Sequence, residues 1–289
     1  MIYPRLTRLI SVKRSSMYSK ILIAHDLSKE ADVALQRAVQ LAEQHQAELS
    51  ILHVVEDSPS RQAFIDIQKK LEPQLRASVP EALASQVSVY FQHGKAADAV
   101  LSFLQEQTYS LLVLGQHHKA RPELFKGSNL ERIARDCTIP VLLAVNSDVR
   151  AYREAVVALD SSLISCQALH AAYHLLPADA GLHAVNIFNP GPKLKLDRVA
   201  EYLETQRSLI GQLLEDEVAQ LPKGGPKVSH EVVHGVLAGS LDKELVARRR
   251  SPLLLALGRH NRSLLAQKLL GSLAIHYLRK PPCDVLVVA

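Results

Sequence analysis

The sequence has 289 residues, enough for two domains of ordinary size, and 47% of them are hydrophobic against 22% charged, the balance of a folded globular chain. The formal charge of +5 includes Arg5, Arg8, Lys13 and Arg14 ahead of Met17, so the remainder is nearly neutral and lacks the gathered basic face that nucleic-acid binding demands. Three widely spaced cysteines, Cys137, Cys166 and Cys283, argue against a disulfide framework or a zinc site and for a reducing, cytoplasmic setting; no apolar run approaches the roughly 18 residues of a membrane span.

Residues 1–16 are Arg-rich and free of acid, superficially like a transit peptide, but lack the apolar stretch of a secretory signal; the expected start is Met17, with 1–16 an untranslated or disordered basic extension. From there ILIAHD reads as a buried strand. Residues 30–46 place Ala31, Ala34, Leu35, Ala38, Leu41 and Ala42 at spacings of three and four, an amphipathic helix opened near Ser28. AELSILHVV is the next strand, and a long helix follows over about 61–77. Then come the strand VSVYF, the helix AADAVLSFLQEQ, the strand LLVLG, a helix from about Ser128 and the strand VLLAV.

The same order then returns. Asp26 and Ser28 of ILIAHDLS correspond to Asp160 and Ser162 of AVVALDSS. His93-Gly94 answers His234-Gly235, Gly115 answers Gly258, Gly127-Ser128 answers Gly271-Ser272, and IPVLLAV answers CDVLVVA. Landmarks recurring in one order define a duplicated unit. The expected domains are residues 17–147 and 151–289, with SDVRAY at 147–152 as the linker. PKGGP at 222–226 falls before the third strand of the second copy. Strands alternating with helices imply parallel pairing through right-handed crossovers, hence two tandem Rossmann-like, doubly wound five-stranded sheets.

In such a sheet ligands sit at the carboxyl ends of strands, where strand order reverses. The acid after the first strand, the glycine ending the fourth and the Gly–Ser pair opening a helix all fall there. Glycine admits backbone to a phosphate, and a helix N-terminus offers free N–H groups. Each element alone is ordinary turn or capping chemistry; their joint order, present twice, carries the signal.

LGRHNRSLLAQKLLGSLAIHYLRKPPCDVLVV resembles the signature segment of universal stress proteins, in which Gly-x-x-Gly, nine residues and Gly-Ser/Thr follow a strand and lead to a final aliphatic strand. The likeness covers both halves from Met17 onward. It implies a tandem member whose halves pack as a pseudo-dimer, open to further homodimerisation, acting in stress regulation and not as an enzyme. The family divides into members that bind ATP and members that do not. By this resemblance, a site for ATP or a related adenine nucleotide in the second repeat comprises Asp160, Ile187, Gly258, His260, Asn261, Gly271 and Ser272. Asn261 replaces the second motif glycine and is the residue that best tolerates left-handed backbone. The weaker first-repeat site comprises Asp26, Val54, Gly115, His117, Gly127 and Ser128. There His118 replaces the glycine, the spacing is one residue short, and Arg121-Pro122 interrupts the loop.

No metal site is expected, because His117-His118 and His260 lack a partner at ligand spacing. No catalytic residues are expected either. Cys166 and His170 stand four apart on a helix with no orienting third group in view. Arg259, Arg262 and Lys268 supply charge, but their loop carries no carboxylate. The rival readings are a slow nucleotide hydrolase and a nucleotide-independent interaction scaffold; the protein partners are not legible.

Overall fold

The short aliphatic runs become strands because their side chains find apolar cover on both faces. In the computed structural model, residues 17–56, 59–84, 86–116, 129–189, 196–248, 252–259 and 270–289 are described. The extension 1–16 lies outside them, as do His117, His118, Arg121, Pro122, Gly127, Ser128, Arg249, Arg250, His260, Asn261, Arg262 and Lys268.

The first repeat runs β1 (Lys20–Ala24), α1 (Lys29–His45), β2 (Glu48–Val55), α2 (Arg61–Ala77), the short α3 (Glu81–Ala84), β3 (Ser88–His93), α4 (Ala96–Glu106), β4 (Leu111–Gly115), α5 (Asn129–Asp136) and β5 (Val141–Ala144). The second runs β6 (Glu154–Ala158), α6 (Leu163–Leu175), β7 (Gly181–Phe188), α7 (Leu196–Ala219), β8 (Lys227–His234), α8 (Leu237–Ala247), β9 (Leu253–Gly258), α9 (Ser272–Arg279) and β10 (Asp284–Val288). The expected helices and strands are present, and α1 buries the stripe read from the sequence, Ala31, Ala34, Leu35, Ala38, Leu41 and Ala42.

Within each repeat the strands are parallel, in the orders β3-β2-β1-β4-β5 and β8-β7-β6-β9-β10. The two five-stranded sheets join edge to edge into one ten-stranded sheet. β5 and β10 join them antiparallel, with Leu143 opposite Val285, Leu142 opposite Leu286 and Val141 opposite Val287. Antiparallel pairing of like strands is what an internal two-fold axis requires. It also covers both exposed inner edges, which would otherwise present unpaired backbone.

A buried polar knot fixes this junction. Asp284, on β10 and 0% exposed, accepts hydrogen bonds from Arg37 Nε (3.1 Å), Tyr152 Oη (2.6 Å) and the backbone N–H groups of Val145 and Asn146 (2.8 Å each). Arg37, also 0% exposed, donates onward to the linker carbonyls of Asp148 (2.6 Å) and Arg150 (2.7 Å) and lies 4.2 Å from the Tyr152 ring centroid. A charge this deep is tolerated because each of its partners is in place. Tyr18 Oη to the Ala171 carbonyl and Gln44 Nε2 to the Leu175 carbonyl add further bonds between the repeats.

Candidate functional site

The strand order reverses on either side of β6, which lies between β9 and β7, so the crevice of the second repeat opens beyond the carboxyl ends of β6 and β9. Asp160 follows β6 and is half-buried. Its Oδ1 accepts from the N–H of Ser162 (3.1 Å) and from Ser162 Oγ (2.5 Å). Ser162 in turn caps α6, its Oγ accepting from Ser165 N–H at 3.2 Å. Between them Ser161 is held at φ 66°, a left-handed conformation costly for a side-chain-bearing residue. The acid is thus braced by the helix cap and not free to swing.

The first repeat builds the same turn from Asp26, Leu27 (φ 66°) and Ser28, with Ser28 N–H and Oγ donating to Asp26 Oδ1 at 3.0 and 2.5 Å. A second brace differs between repeats and was not read from the sequence. His53 donates from Nδ1 to the His25 carbonyl at 2.7 Å, whereas Asn186 donates from Nδ2 to the Leu159 carbonyl at 2.8 Å. Each ties the end of the first strand to the second. His25 accepts the Leu27 N–H on Nδ1 (3.1 Å) and places Nε2 3.2 Å from Asp32. Burial outweighs the pull of Asp32 and Asp26 and lowers its pKa, so the ring stays neutral.

Gly258 ends β9 and Gly115 ends β4. A Cβ on Gly115 would stand 2.6 Å from the Glu30 carbonyl oxygen, and one on Gly258 would stand 2.8 Å from Ile164 Cγ2. Both glycines are therefore required by the close approach of the strand end to the first turn of α1 or α6. That packing need explains the residue type before any phosphate is invoked.

Gly271 is the N-cap of α9 and has no side chain of its own to cap it; Ser272, exposed, is the first residue of the helix. The Gly271 N–H donates to the Arg259 carbonyl at 2.7 Å, which returns the chain from β9 to the start of α9. The first N–H groups of an uncapped helix remain available to an anion. Ile187 and Val54, at the ends of β7 and β2, are half-buried, each packed against its repeat's core. The structure thus brings Asp160, Ile187, Gly258, Gly271 and Ser272 to one edge. Asp26, Val54 and Gly115 occupy the matching edge of the first repeat. His260 and Asn261, like His117, Gly127 and Ser128, lie outside the described residues.

Arg259 does not supply charge to this crevice. Its Nη1 donates to the carbonyls of Arg135 (2.7 Å) and Cys137 (2.9 Å), at the carboxyl end of α5 in the other repeat. There the cation meets the negative end of a helix. Arg248, at the end of α8, lies 3.6 Å from both Glu244 and Glu154 with 22% of its side chain exposed.

The Cys166–His170 pair does have a third group, which the sequence could not reveal because it comes from α7. Glu217 lies 2.7 Å from His170 Nε2. Its effect on the thiol runs against nucleophilic chemistry: burial first, then the Glu217 charge, push Cys166 up to about 11. A thiol so protonated is no nucleophile at neutral pH. Cys283 is pushed up to about 12 by burial and the Asp284 charge, and Cys137 is raised by burial; all three are buried and unpaired.

Two doubly wound units, joined edge to edge about an internal two-fold, define a duplicated Rossmann-like α/β protein. Residues 17–144 and 151–289 each match the universal stress protein family, and the chain belongs to that family. It is 30% identical over 146 residues to universal stress protein YxiE of Bacillus subtilis strain 168, across 44% of this chain and 99% of that one. It is 31% identical over 111 residues to a universal stress protein A homolog of Haemophilus influenzae, across 35% of this chain and 79% of that one. These relatives correspond to a single repeat. A universal stress protein from Archaeoglobus fulgidus shares the whole fold, with a TM-score of 0.67 at 17% identity over 94% of this chain and 97% of that one. Among the described residues, no helix is long and apolar enough to cross a membrane.

Proposed function

We propose that this protein is a non-catalytic regulator of the stress response that takes an adenine nucleotide, ATP or a close relative, in its second repeat. The observation that carries the reading is the meeting of Asp160, Ile187, Gly258 and the glycine-started α9 at the carboxyl ends of the strands beside β6. A braced carboxylate suits a ribose hydroxyl, an aliphatic strand end suits a base face, and free helix N–H groups suit phosphate. Asp160 is half-buried whereas Asp26 is exposed, which favours the second repeat over the first.

Arg259, the cation next to Gly258, is engaged with the α5 carbonyls and not aimed at the crevice, whereas phosphoryl transfer relies on positioned charge; this orientation supports a regulatory role. Buried, unpaired thiols are in keeping with a cytoplasmic setting.

Equilibrium titration of ATP into the purified protein tests the reading. Binding is expected, abolished by Gly271→Asp, which sets a carboxylate against the phosphates, and retained by Gly127→Asp. Absence of binding to the unaltered protein would overturn it. In single-turnover assays product is expected to appear no faster than in buffer; rapid hydrolysis would return the enzyme reading.

A further inference from the structure

At the opposite half of the second repeat's strands, away from the nucleotide crevice, three potential ligands converge from three elements. His183 is the third residue of β7, Glu231 lies on β8, and Glu244 lies on α8, which covers this face of the sheet. One ligand atom of each lies within 4.8 Å of the others, and His183 Nε2 is 3.9 Å from Glu231 Oε2. The register explains the meeting: His183 pairs with Ser229, and Glu231 is two residues further along β8 on the same face.

We propose that His183, Glu231 and Glu244 form a binding site for a divalent transition-metal ion, Zn²⁺ being the best match to one imidazole and two carboxylates. The reading is independent of nucleotide binding.

Four observations support it. First, His183 is 7% exposed, and its Nε2 is buried with no hydrogen-bond partner while facing the two carboxylates. An unsatisfied buried nitrogen is costly and calls for an explanation. Second, the ring is oriented as a ligand should be. Nδ1 lies 2.9 Å from Ser229 Oγ, and donation from Nδ1–H there leaves the Nε2 lone pair for a metal.

Third, the local charge calls for a cation. Glu231 and Glu244 both bring a carboxylate to His183, and Glu154 and Glu244 each lie 3.6 Å from Arg248. Among the described residues here, carboxylates outnumber the one guanidinium, an imbalance that a divalent ion offsets. Ligation at about 2.0–2.2 Å requires the oxygens to draw in by about 1 Å, a rotation open to the half-exposed Glu231.

Fourth, the duplication supplies an internal control. The repeat places Ser50, Tyr90 and Phe103 where the second copy has His183, Glu231 and Glu244. There the space is filled by aromatic packing, with ring centroids 5.0 Å apart for Tyr90–Phe103 and 6.0 Å for Phe103–Tyr109. The fold is satisfied by apolar filling at this place, so the polar trio in the second repeat is not a requirement of the architecture.

The test is calorimetric titration of Zn²⁺ into the full-length, metal-stripped, nucleotide-free protein, alongside Glu231→Gln and Glu231→Gln/Glu244→Gln. The expected result is one zinc equivalent that Glu231→Gln weakens by about tenfold or more and the double variant loses. Because zinc can also bind histidines elsewhere, the imidazole nitrogen resonances of the unaltered protein are followed in parallel. Nε2 of His183 is expected to shift on zinc addition, a readout that does not depend on any variant folding. Unchanged His183 resonances, or equal stoichiometry and affinity in the variants, would overturn the proposal.

Discussion

Asp284 and Arg37 show how much a single buried pair carries. Arg37 has no exposed surface and bonds to a carboxylate and two linker carbonyls, so Arg37→Met strands the Asp284 charge and is expected to cost about 3–5 kcal/mol in urea unfolding. A loss below about 1 kcal/mol would show that the pair is solvated in practice. The strand-ending glycines give a graded comparison. Gly115→Ala drives a Cβ against a backbone carbonyl, while Gly258→Ala meets mainly the tip of Ile164. Both are expected to destabilise, within the roughly 1–3 kcal/mol of overpacking, and the thermal midpoint of Gly115→Ala should fall further. Equal shifts would contradict that reading. At this scale the sequence was only partly legible. Asp160 and Gly258 stood out because their types and order recur, whereas Asn186, His53 and Glu217 act through partners remote in the chain.

Secondary elements were the most legible level. The three-and-four spacing from Ala31 to Ala42 specified α1, and Ser28 was expected near its start because a hydroxyl there satisfies an orphan N–H. Ser162 repeats that role on α6 and also donates to Asp160. Ser162→Ala is therefore expected to cost about 1 kcal/mol, the ordinary cap contribution, and to weaken nucleotide binding by loosening the carboxylate. Ser28→Ala should match the stability loss and leave nucleotide affinity unchanged; denaturant titration and ATP binding on the two variants separate these effects. What the periodicity could not disclose was the union of the two sheets. VLLAV and DVLVV read as buried strands whether their outer edge meets helix, solvent or each other, and only their antiparallel pairing shows which. The trio of His183, Glu231 and Glu244 was illegible for a related reason: strand register, not spacing along the chain, brings it together.

As a whole molecule, the two halves share one sheet, a hydrophobic cluster that spans both repeats and a buried ionic knot, so the repeats are expected to unfold together. Its pH response follows from its buried and half-buried histidines. His25, His45 and His174 all have pKa values lowered from the usual 6.5, in each case chiefly by burial. Below about pH 6.5 the unfolded chain takes up protons that the folded one resists, so stability is complete above that pH and declines as acid is added. Melting temperature measured in chelator from pH 8 down to pH 5 should be flat and then fall; a rise on acidification would contradict the assignment. In the proposed function an adenine nucleotide sits in the second repeat. Photo-crosslinking of the full-length protein with 8-azido-ATP, followed by peptide mapping, tests it most directly. Label is expected on second-repeat peptides flanking the β6–β9 crevice and is expected to disappear with excess ATP. Label confined to the first repeat, or label indifferent to ATP, would contradict the account.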